Sequence, residues 1–186
     1  MAGFDHFSFF APYYDRAIPF KALDALLSRG NFSGHEFVLD AGGGTGRIAS
    51  AVKPFVKDVI VADLSDGMLQ QAVGKGLAGL LAPVEALPFP GEVFDRILMI
   101  DALHHVYNQC DTAFELWRVL RPGGMIIVEE PDVRTLAVKM VALAEQAARM
   151  RSHFLPPPEI AGLFRKFSPD VKIESEGFNS WVIARK

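Results

Sequence analysis

Apolar residues along this chain fall into short continuous runs, separated by longer stretches in which they recur every three or four positions. The short runs predict buried strands, and the longer stretches predict helices packed on them. The predicted strands are EFVLDA at 36–41, DVIVAD at 58–63, a weaker run at 77–82, FDRILMID at 94–101 and MIIVEE at 125–130. Strands that alternate with helices indicate a mostly parallel sheet with helices on both faces.

The helical stretches have recognisable starts and stops. One helix begins near Gly46 and is halted by Pro54, and a second begins at Ser65 as N-cap and fades at Gly74. A third begins at Asp111 as N-cap and ends at RPGG, with an apolar stripe of Phe114, Trp117 and Leu120. Two more stripes follow, which we interpret as packing surfaces: Leu136, Met140, Leu143, Ala147 and Met150, then Ile160, Leu163, Phe164 and Phe167.

The end of the chain departs from the alternation. Two strand-like runs, VKIES at 171–175 and SWVIARK at 180–186, are separated by only a few residues around Gly177. A parallel neighbour needs a long crossover, so one of these strands must be antiparallel, at or near the C-terminal edge of the sheet. The fold class is therefore α/β.

Length and composition narrow the classes of function. The 186 residues suggest a single domain over 1–186, and the net charge of −3 offers no basic cluster for nucleic acid. The single cysteine, Cys110, fits a reducing compartment, and no apolar run is long enough to span a membrane. The first residues carry Asp5 and no basic region, unlike a secretory signal, so we expect a cytoplasmic protein.

The stretch VLDAGGGTGR at 38–47 carries most of the functional information. Gly42, Gly44 and Gly46 lie between a strand and a helix, at the carboxyl end of the first strand, where open α/β sheets bind ligands. Glycines there let the chain turn sharply and let a ligand approach the main chain. A tight turn that binds nothing is the alternative.

Two acids indicate the kind of ligand. Asp63 ends the second strand, where a carboxylate can accept hydrogen bonds from ribose hydroxyls. Asp40 would repel the pyrophosphate of a dinucleotide but would attract a cation beside an adenosine. The glycine spacing also departs from the dinucleotide pattern G-x-G-x-x-G, so a nicotinamide-dependent dehydrogenase is disfavoured.

Four ordered segments resemble a known family. VLDAGGGTGRIA, VIVADLSDGMLQQA, VEALPFPGEVFDRILMIDALHHV and LWRVLRPGGMIIVEEPD are similar, in order and spacing, to the small-molecule branch of the class I S-adenosylmethionine-dependent methyltransferases. The resemblance covers residues 36–132 and extends loosely to FNSWVIARK. It implies a Rossmann-like three-layer sandwich with a seven-stranded sheet of order 3-2-1-4-5-7-6 and an antiparallel last strand.

The resemblance also implies positions for the cofactor, S-adenosylmethionine. Main chain at Ala41, Gly42 and Gly44 would meet the methionine part, with Asp40 near its ammonium and Asp63 at the ribose. Leu64 and Met68 would flank the adenine, and Ile100 would border the site at the end of the fourth strand. Pro83 stands where the family often has an adenine-binding aspartate, so adenine recognition would fall to the backbone of Val84 or to Glu85.

The aromatic N-terminal segment, residues 1–30, contains DHFSFFAPYYDRA, which resembles the entry segment of methyltransferases that act on quinones and related small molecules. In that family the segment covers the cofactor site, and Tyr14 would reach the cofactor. The alternative is that these rings seal one end of the core.

Methyl transfer needs mainly alignment and exclusion of water, and a base only where the acceptor must lose a proton. The candidate catalytic residues are His105 and Asp101, with His104 and Glu130 nearby; a histidine here could instead orient the following helix. Glu129 and Glu130 are also consistent with a strand that ends in solvent. Adjacent His104 and His105 cannot readily converge on one ion, so no metal is expected.

The leading hypothesis is a methyltransferase that acts on a small, partly apolar, possibly quinone-like acceptor at oxygen, carbon or nitrogen. The alternative is a protein that binds S-adenosylmethionine or a partner but transfers no methyl group, which the Pro83 departure and the lack of an evident base suggest. The sequence gives neither the acceptor nor the oligomeric state.

Overall fold

The computed structural model describes Ala11, Asp15, residues 22–147 and residues 152–186. Its strands form one sheet of order β3-β2-β1-β4-β5-β7-β6. The strands are β1 Phe37–Ala41, β2 Asp58–Asp63, β3 Ala78–Leu81, β4 Phe94–Ile100, β5 Leu120–Pro131, β6 Val171–Glu176 and β7 Asn179–Arg185. The helices are α1 Leu23–Gly30, α2 Arg47–Val52, α3 Asp66–Gly74, α4 Gln109–Val119, α5 Leu136–Ala147 and α6 Pro157–Arg165.

Strand directions follow the lengths of the connections. β1 to β5 pair in parallel, and each crossover between them passes through a helix or a long loop. β7 pairs antiparallel with both β5 and β6. Only two residues separate β6 from β7, so that pair must be antiparallel. The predicted fold class, strand order and antiparallel last strand are therefore confirmed.

Two apolar cores cover the faces of the sheet. On one face α1, α2 and α3 pack through Leu26, Ile48 and Leu69, and on the other face α4 and α6 pack through Leu116 and Phe164. Successive residues of β5 serve opposite cores, which is why that strand is apolar at every position from 125 to 128. The result is a three-layer sandwich.

Two details of α4 differ from the sequence expectations. The N-cap of α4 is Asn108, whose side chain accepts hydrogen bonds from the backbone N–H groups of Cys110 and Asp111; Asp111 lies in the first turn. The predicted stripe is right only in part: Phe114 is 59% exposed, whereas Trp117 packs partly buried against the core and the buried Leu120 already belongs to β5. The buried face consists instead of Thr112, Ala113, Glu115, Leu116 and Val119.

The stripe on α5 is not a packing surface at its described positions. Leu136, Met140 and Leu143 are all exposed, and Val138 is the buried apolar residue of the same helix. The residues that the periodicity grouped together are alike in being exposed, and no described element packs against them. Within the described ranges, no helix has the length and apolarity needed to cross a membrane.

Candidate functional site

The glycine turn between β1 and α2 has a backbone that side chains would disrupt. Gly42, Gly44 and Gly46 have φ angles of 69°, 55° and 72°, in the left-handed region that favours glycine. A Cβ on Gly42 would lie 2.8 Å from the Cβ of Ala102, and a Cβ on Gly43 would lie 2.5 Å from Cγ of Asp40. The turn is therefore pressed between β1 and the segment after β4, with its main chain facing a cavity.

Asp63 joins this turn to the end of β2. Its Oδ2 accepts a hydrogen bond from the N–H of Gly44 at 2.8 Å, and its Oδ1 accepts one from the N–H of Ser65 at 2.8 Å. Each carboxylate oxygen thus holds one backbone segment of the site. Asp63 itself lines the cavity.

Asp40 lies behind the glycine turn rather than in the cavity. It is 1% exposed, and its Oδ2 accepts a hydrogen bond from the N–H of Ala49 at 3.0 Å. Its Oδ1 has no hydrogen-bond partner among the described residues. The net pKa of Asp40 is raised to about 7. Burial is the largest cause and the nearby Asp63 charge acts in the same direction, whereas the Ala49 hydrogen bond and the Arg47 charge lower the pKa.

The cavity contains most of the predicted site residues. From the predicted cofactor set it is lined by Gly42, Gly44, Asp63, Leu64, Met68, Val84, Glu85 and Ile100, and from the predicted catalytic set by Asp101 and His105. Asp40 and Ala41 are buried residues of β1 and do not line the cavity. Tyr14 and most of the 1–30 segment lie outside the described residues.

Several lining residues were not predicted: Gly43, Arg47, Ile48, Ser65, Pro83, Ala102, Val106 and Tyr107. Most are immediate neighbours of predicted ones, so their positions could have been inferred from chain continuity. Arg47 had a clearer signal, because it is a cation placed directly after the last glycine of the turn.

Glu85 closes one side of the cavity. Its Oε1 accepts hydrogen bonds from the N–H groups of Tyr107, at 2.7 Å, and Asn108, at 3.3 Å. The loop between β3 and β4 is thereby tied to the loop after β4, and Pro83 and Val84 lie beside this contact in the cavity wall.

A charged cluster lies where β4 and β5 end. Asp101 has a φ of 56°, its N–H donates to the carbonyl of Glu129 at 2.8 Å, and its Oδ2 lies 3.6 Å from a guanidinium nitrogen of Arg47. Glu129 is 5% exposed. Burial, with smaller effects of Asp101 and Glu130, raises the pKa of Glu129 to about 7.

Glu129 and Glu130 do not end a strand in solvent, so that interpretation was wrong. Both are buried, because β7 pairs with β5 along this stretch and the 101–104 segment lies over its end. The Glu129 side chain is hydrogen-bonded by the amide of Asn179 on β7. Glu130 instead contacts His104, with 2.5 Å between Oε2 and Nδ1.

Asp15, which the sequence analysis did not single out, contacts the glycine turn from outside the cavity lining. Its Oδ1 accepts a hydrogen bond from the hydroxyl of Thr45 at 2.5 Å, and it forms an ion pair with Lys75. Lys75 also donates to the carbonyl of Thr45 at 2.7 Å. A residue of the N-terminal region is therefore anchored on the glycine turn.

Within the described part of the chain, no group of three or more histidine, cysteine, aspartate and glutamate side chains is arranged to hold a metal ion.

Comparison with known proteins agrees with this geometry. A family model described as a methyltransferase domain matches residues 39–128, the part that carries the glycine turn, Asp63 and the end of β4. The Ubiquinone/menaquinone biosynthesis C-methyltransferase UbiE of Coxiella burnetii is 35% identical over 111 residues, 54% of this chain and 44% of that protein. The Malonyl-[acyl-carrier protein] O-methyltransferase of Salmonella typhimurium is 41% identical over 107 residues, 55% of this chain and 42% of that protein.

The chain thus spans about half the length of the curated relatives it matches. Its fold matches solved structures over a larger share. A SAM-dependent methyltransferase from Thermotoga maritima superposes with a TM-score of 0.82, at 22% identity, over 97% of both chains. Together with the ordered motifs and the strand order, these matches identify residues 39–128 as a methyltransferase domain of the class I S-adenosylmethionine-dependent type.

Proposed function

We propose that the protein transfers a methyl group from S-adenosylmethionine to a small, partly apolar acceptor. The observation that carries the proposal is the link between the glycine turn and Asp63, which brings main chain and a carboxylate to one cavity; this carboxylate would accept the ribose hydroxyls. The cofactor supplies a sulfonium that is already a good leaving group. The protein then has to align the acceptor, exclude water and handle a proton where one is released.

The cavity fits the adenosine half of this cofactor. Asp63 would accept hydrogen bonds from the ribose hydroxyls while it holds Gly44 and Ser65. Leu64 and Met68 provide apolar surface for one face of the adenine, and the main chain of Val84 would contact its edge. Glu85 would act mainly by fixing the neighbouring Tyr107 loop, since its Oε1 is occupied there.

The methionine half would lie along the glycine turn. Main chain at Gly42 and Gly44 would contact it, and Ile100 would border it from the end of β4. The unpartnered Oδ1 of Asp40, buried directly beneath Gly43, supports a cationic ligand above the turn. Asp40 would then act through its charge from below and not by direct contact.

The acceptor is proposed from the cavity walls and from the relatives. Apolar side chains such as Met68, Val84 and Val106 line much of the cavity, which suits a partly apolar molecule. The relatives' names refer to methyl transfer to carbon in ubiquinone and menaquinone biosynthesis and to methyl transfer to oxygen on malonyl-acyl carrier protein. His105 and Asp101 are the proposed catalytic residues, because both line the cavity at the end of β4.

The first experiment is calorimetric binding of S-adenosylhomocysteine and of NAD to the folded protein. We expect saturable binding of S-adenosylhomocysteine and much weaker binding of NAD. No binding of S-adenosylhomocysteine by protein with a cooperative unfolding transition would reject the proposal.

The second experiment is transfer of a labelled methyl group to naphthoquinol, to malonyl-acyl carrier protein and to a metabolite extract. Label in any of these acceptors would establish an enzyme. Tight cofactor binding without transfer to any of them would instead favour the alternative, a non-catalytic binding protein.

A further inference from the structure

Glu130 lies at the carboxyl end of β5 and is bound by three donors from the segment after β4. Its Oε1 accepts from the N–H groups of Ala102, at 2.9 Å, and Leu103, at 2.7 Å, and its Oε2 lies 2.5 Å from Nδ1 of His104. The residue is 2% exposed. A buried carboxylate is tolerated only when its oxygens are bound in this way, so Glu130 fixes the course of residues 102–104.

His104 connects this carboxylate to the cavity. It is 3% exposed, and its ring lies between two others: Phe154 at 4.2 Å between centroids, and His105 at 3.9 Å. His104 does not line the cavity, whereas His105 does. A continuous path of contacts therefore runs from Glu130 through the His104 ring to the imidazole in the cavity wall.

The segment after α5 holds the same histidine pair from the other side. The N–H of His153 donates to the carbonyl of His104 at 2.7 Å, and the amide of Gln109 donates to the carbonyl of His153 at 2.7 Å. The hydroxyl of Ser152 lies 3.4 Å from Nδ1 of His105. The two imidazoles are thus held between the end of the sheet and this segment.

We propose that Glu130 and His104 are positioning residues that hold the His105 imidazole where it removes the proton of a hydroxyl-bearing acceptor. The proposal rests on the proposed function. In the step, an electron pair of the acceptor attacks the methyl carbon, and the carbon–sulfur bond breaks with its electrons passing to sulfur. The hydroxyl proton passes to an imidazole nitrogen of His105 and later to water.

The charges around the cavity are compatible with this step. The Glu130 carboxylate binds the proton on Nδ1 of His104, which sets the tautomer of that ring and places a negative charge one ring behind His105. The charged groups that line the cavity are Arg47, Asp63, Glu85 and Asp101, three acids and one base. A transient imidazolium at His105 would therefore be stabilised.

The positioning is tested by NMR of protein labelled with ¹⁵N at its five histidines, with and without S-adenosylhomocysteine. We expect a far-downfield proton on Nδ1 of His104 in the wild type. In Glu130→Gln that signal should be lost and the ring signals of His105 should shift, while those of His35 stay unchanged. Unchanged His105 signals in Glu130→Gln would overturn the proposal.

Glu115→Gln is the matched control. Glu115 is also a buried glutamate that accepts a backbone N–H, that of Leu87 at 2.7 Å, but it does not line the cavity. Its replacement should leave the His104 and His105 signals as they are. His104→Asn is the second variant, because the asparagine amide keeps a donor for Glu130 and removes only the ring.

The proton transfer is tested by methyl transfer to naphthoquinol as a function of pH. Near neutral pH, Glu130→Gln and His104→Asn should lower kcat by on the order of 10²-fold, with S-adenosylhomocysteine affinity within about twofold of wild type. The deficit should shrink as the pH approaches about 10, where a phenolic hydroxyl ionises unaided. An equal deficit at every pH, or an equal deficit in Glu115→Gln, would contradict the proposal.

These outcomes separate the two proposals. A wild-type protein that binds no S-adenosylhomocysteine counts against the proposed function, whereas the histidine signals of the unliganded protein still decide the positioning role.

Discussion

Asp40 and Asp63 stand at the ends of neighbouring strands, yet their surroundings make them different chemical groups. Asp63 reaches the cavity, and both of its oxygens accept backbone N–H groups. Asp40 is buried beneath Gly43, where one of its oxygens has no described partner and burial raises its pKa to about 7. The first is therefore a carboxylate that holds two backbone segments at the cavity, and the second is a buried acid whose pKa is raised to about 7.

Asp63→Asn should weaken S-adenosylhomocysteine binding by about 10- to 100-fold, or roughly 1.4–3 kcal/mol. An asparagine has one acceptor oxygen, while Gly44 and Ser65 both donate N–H groups to Asp63. One donor would then face an NH₂ group, and the glycine turn would lose its fixed position. Isothermal titration calorimetry measures the change.

The control for that variant is Asp66→Asn. Asp66 is exposed in the first turn of α3 and contacts Gln70, so its change should leave the affinity within about twofold. Equal affinities for wild type and Asp63→Asn would remove the ribose assignment.

At the scale of elements, helical periodicity correctly predicted that α4 and α5 are helices, but it did not predict which faces are covered. On α4 the chain buries Ala113, Leu116 and Val119 and leaves Phe114 exposed. A period of 3.6 residues shows which side chains share a face, whereas burial depends on where the neighbouring sheet lies. Of the two aromatic residues in the predicted stripe, Phe114 is exposed and Trp117 packs partly buried against the core.

The start of α4 gives a direct test of the correction at its N-cap. Asn108→Ala should lower the free energy of unfolding by about 1 kcal/mol, because the side chain binds the N–H groups of Cys110 and Asp111. Asp111→Ala should cost less, since Asp111 lies in the first turn, where its charge interacts with the helix dipole. Urea unfolding of both variants measures the difference, and a larger loss for Asp111→Ala would contradict the assignment.

At the scale of the whole molecule, two buried acids should make stability fall as the pH rises from about 5 to 7. Burial raises the pKa of Asp40 from 3.8, and of Glu129 from 4.5, to about 7. In this window the folded state keeps protons that the unfolded chain has lost, so the free energy of unfolding decreases with pH and then levels off above about 7. For Asp40 the decrease is roughly 2–4 kcal/mol.

Other acids change the free energy of unfolding at lower pH, where their stabilising contribution decreases as the pH falls. The Arg118 and Arg134 guanidinium groups hold the pKa of Glu115 and Asp132 below its usual range, so their contribution is lost only as the pH falls through those lowered values. Thermal unfolding between pH 5 and 8 therefore avoids these acids, and because unfolded histidines also ionise in this window, the Asp40 contribution is isolated by a variant. Asp40→Asn should reduce the decline, and an unchanged decline in that variant would contradict the assignment.

The fold could be predicted from the sequence because its signals are local. Short apolar runs separated by helical periods determine a parallel α/β sheet, and the short link between β6 and β7 forces an antiparallel strand. The ordered motifs added the order of the strands. The glycine turn and Asp63 could also be predicted, because they follow directly from strand ends that meet at one edge of the sheet.

Tertiary structure alone decided the surroundings of the side chains. Asp40 was expected beside the ligand but lies under the turn, and Glu129 and Glu130 were compatible with solvent but are buried against β7 and residues 101–104. The contact of Asp15 with Thr45 joins residues thirty positions apart. Periodicity and motif spacing report the direction of the backbone, whereas exposure, pKa and long-range hydrogen bonds depend on which distant segments pack together.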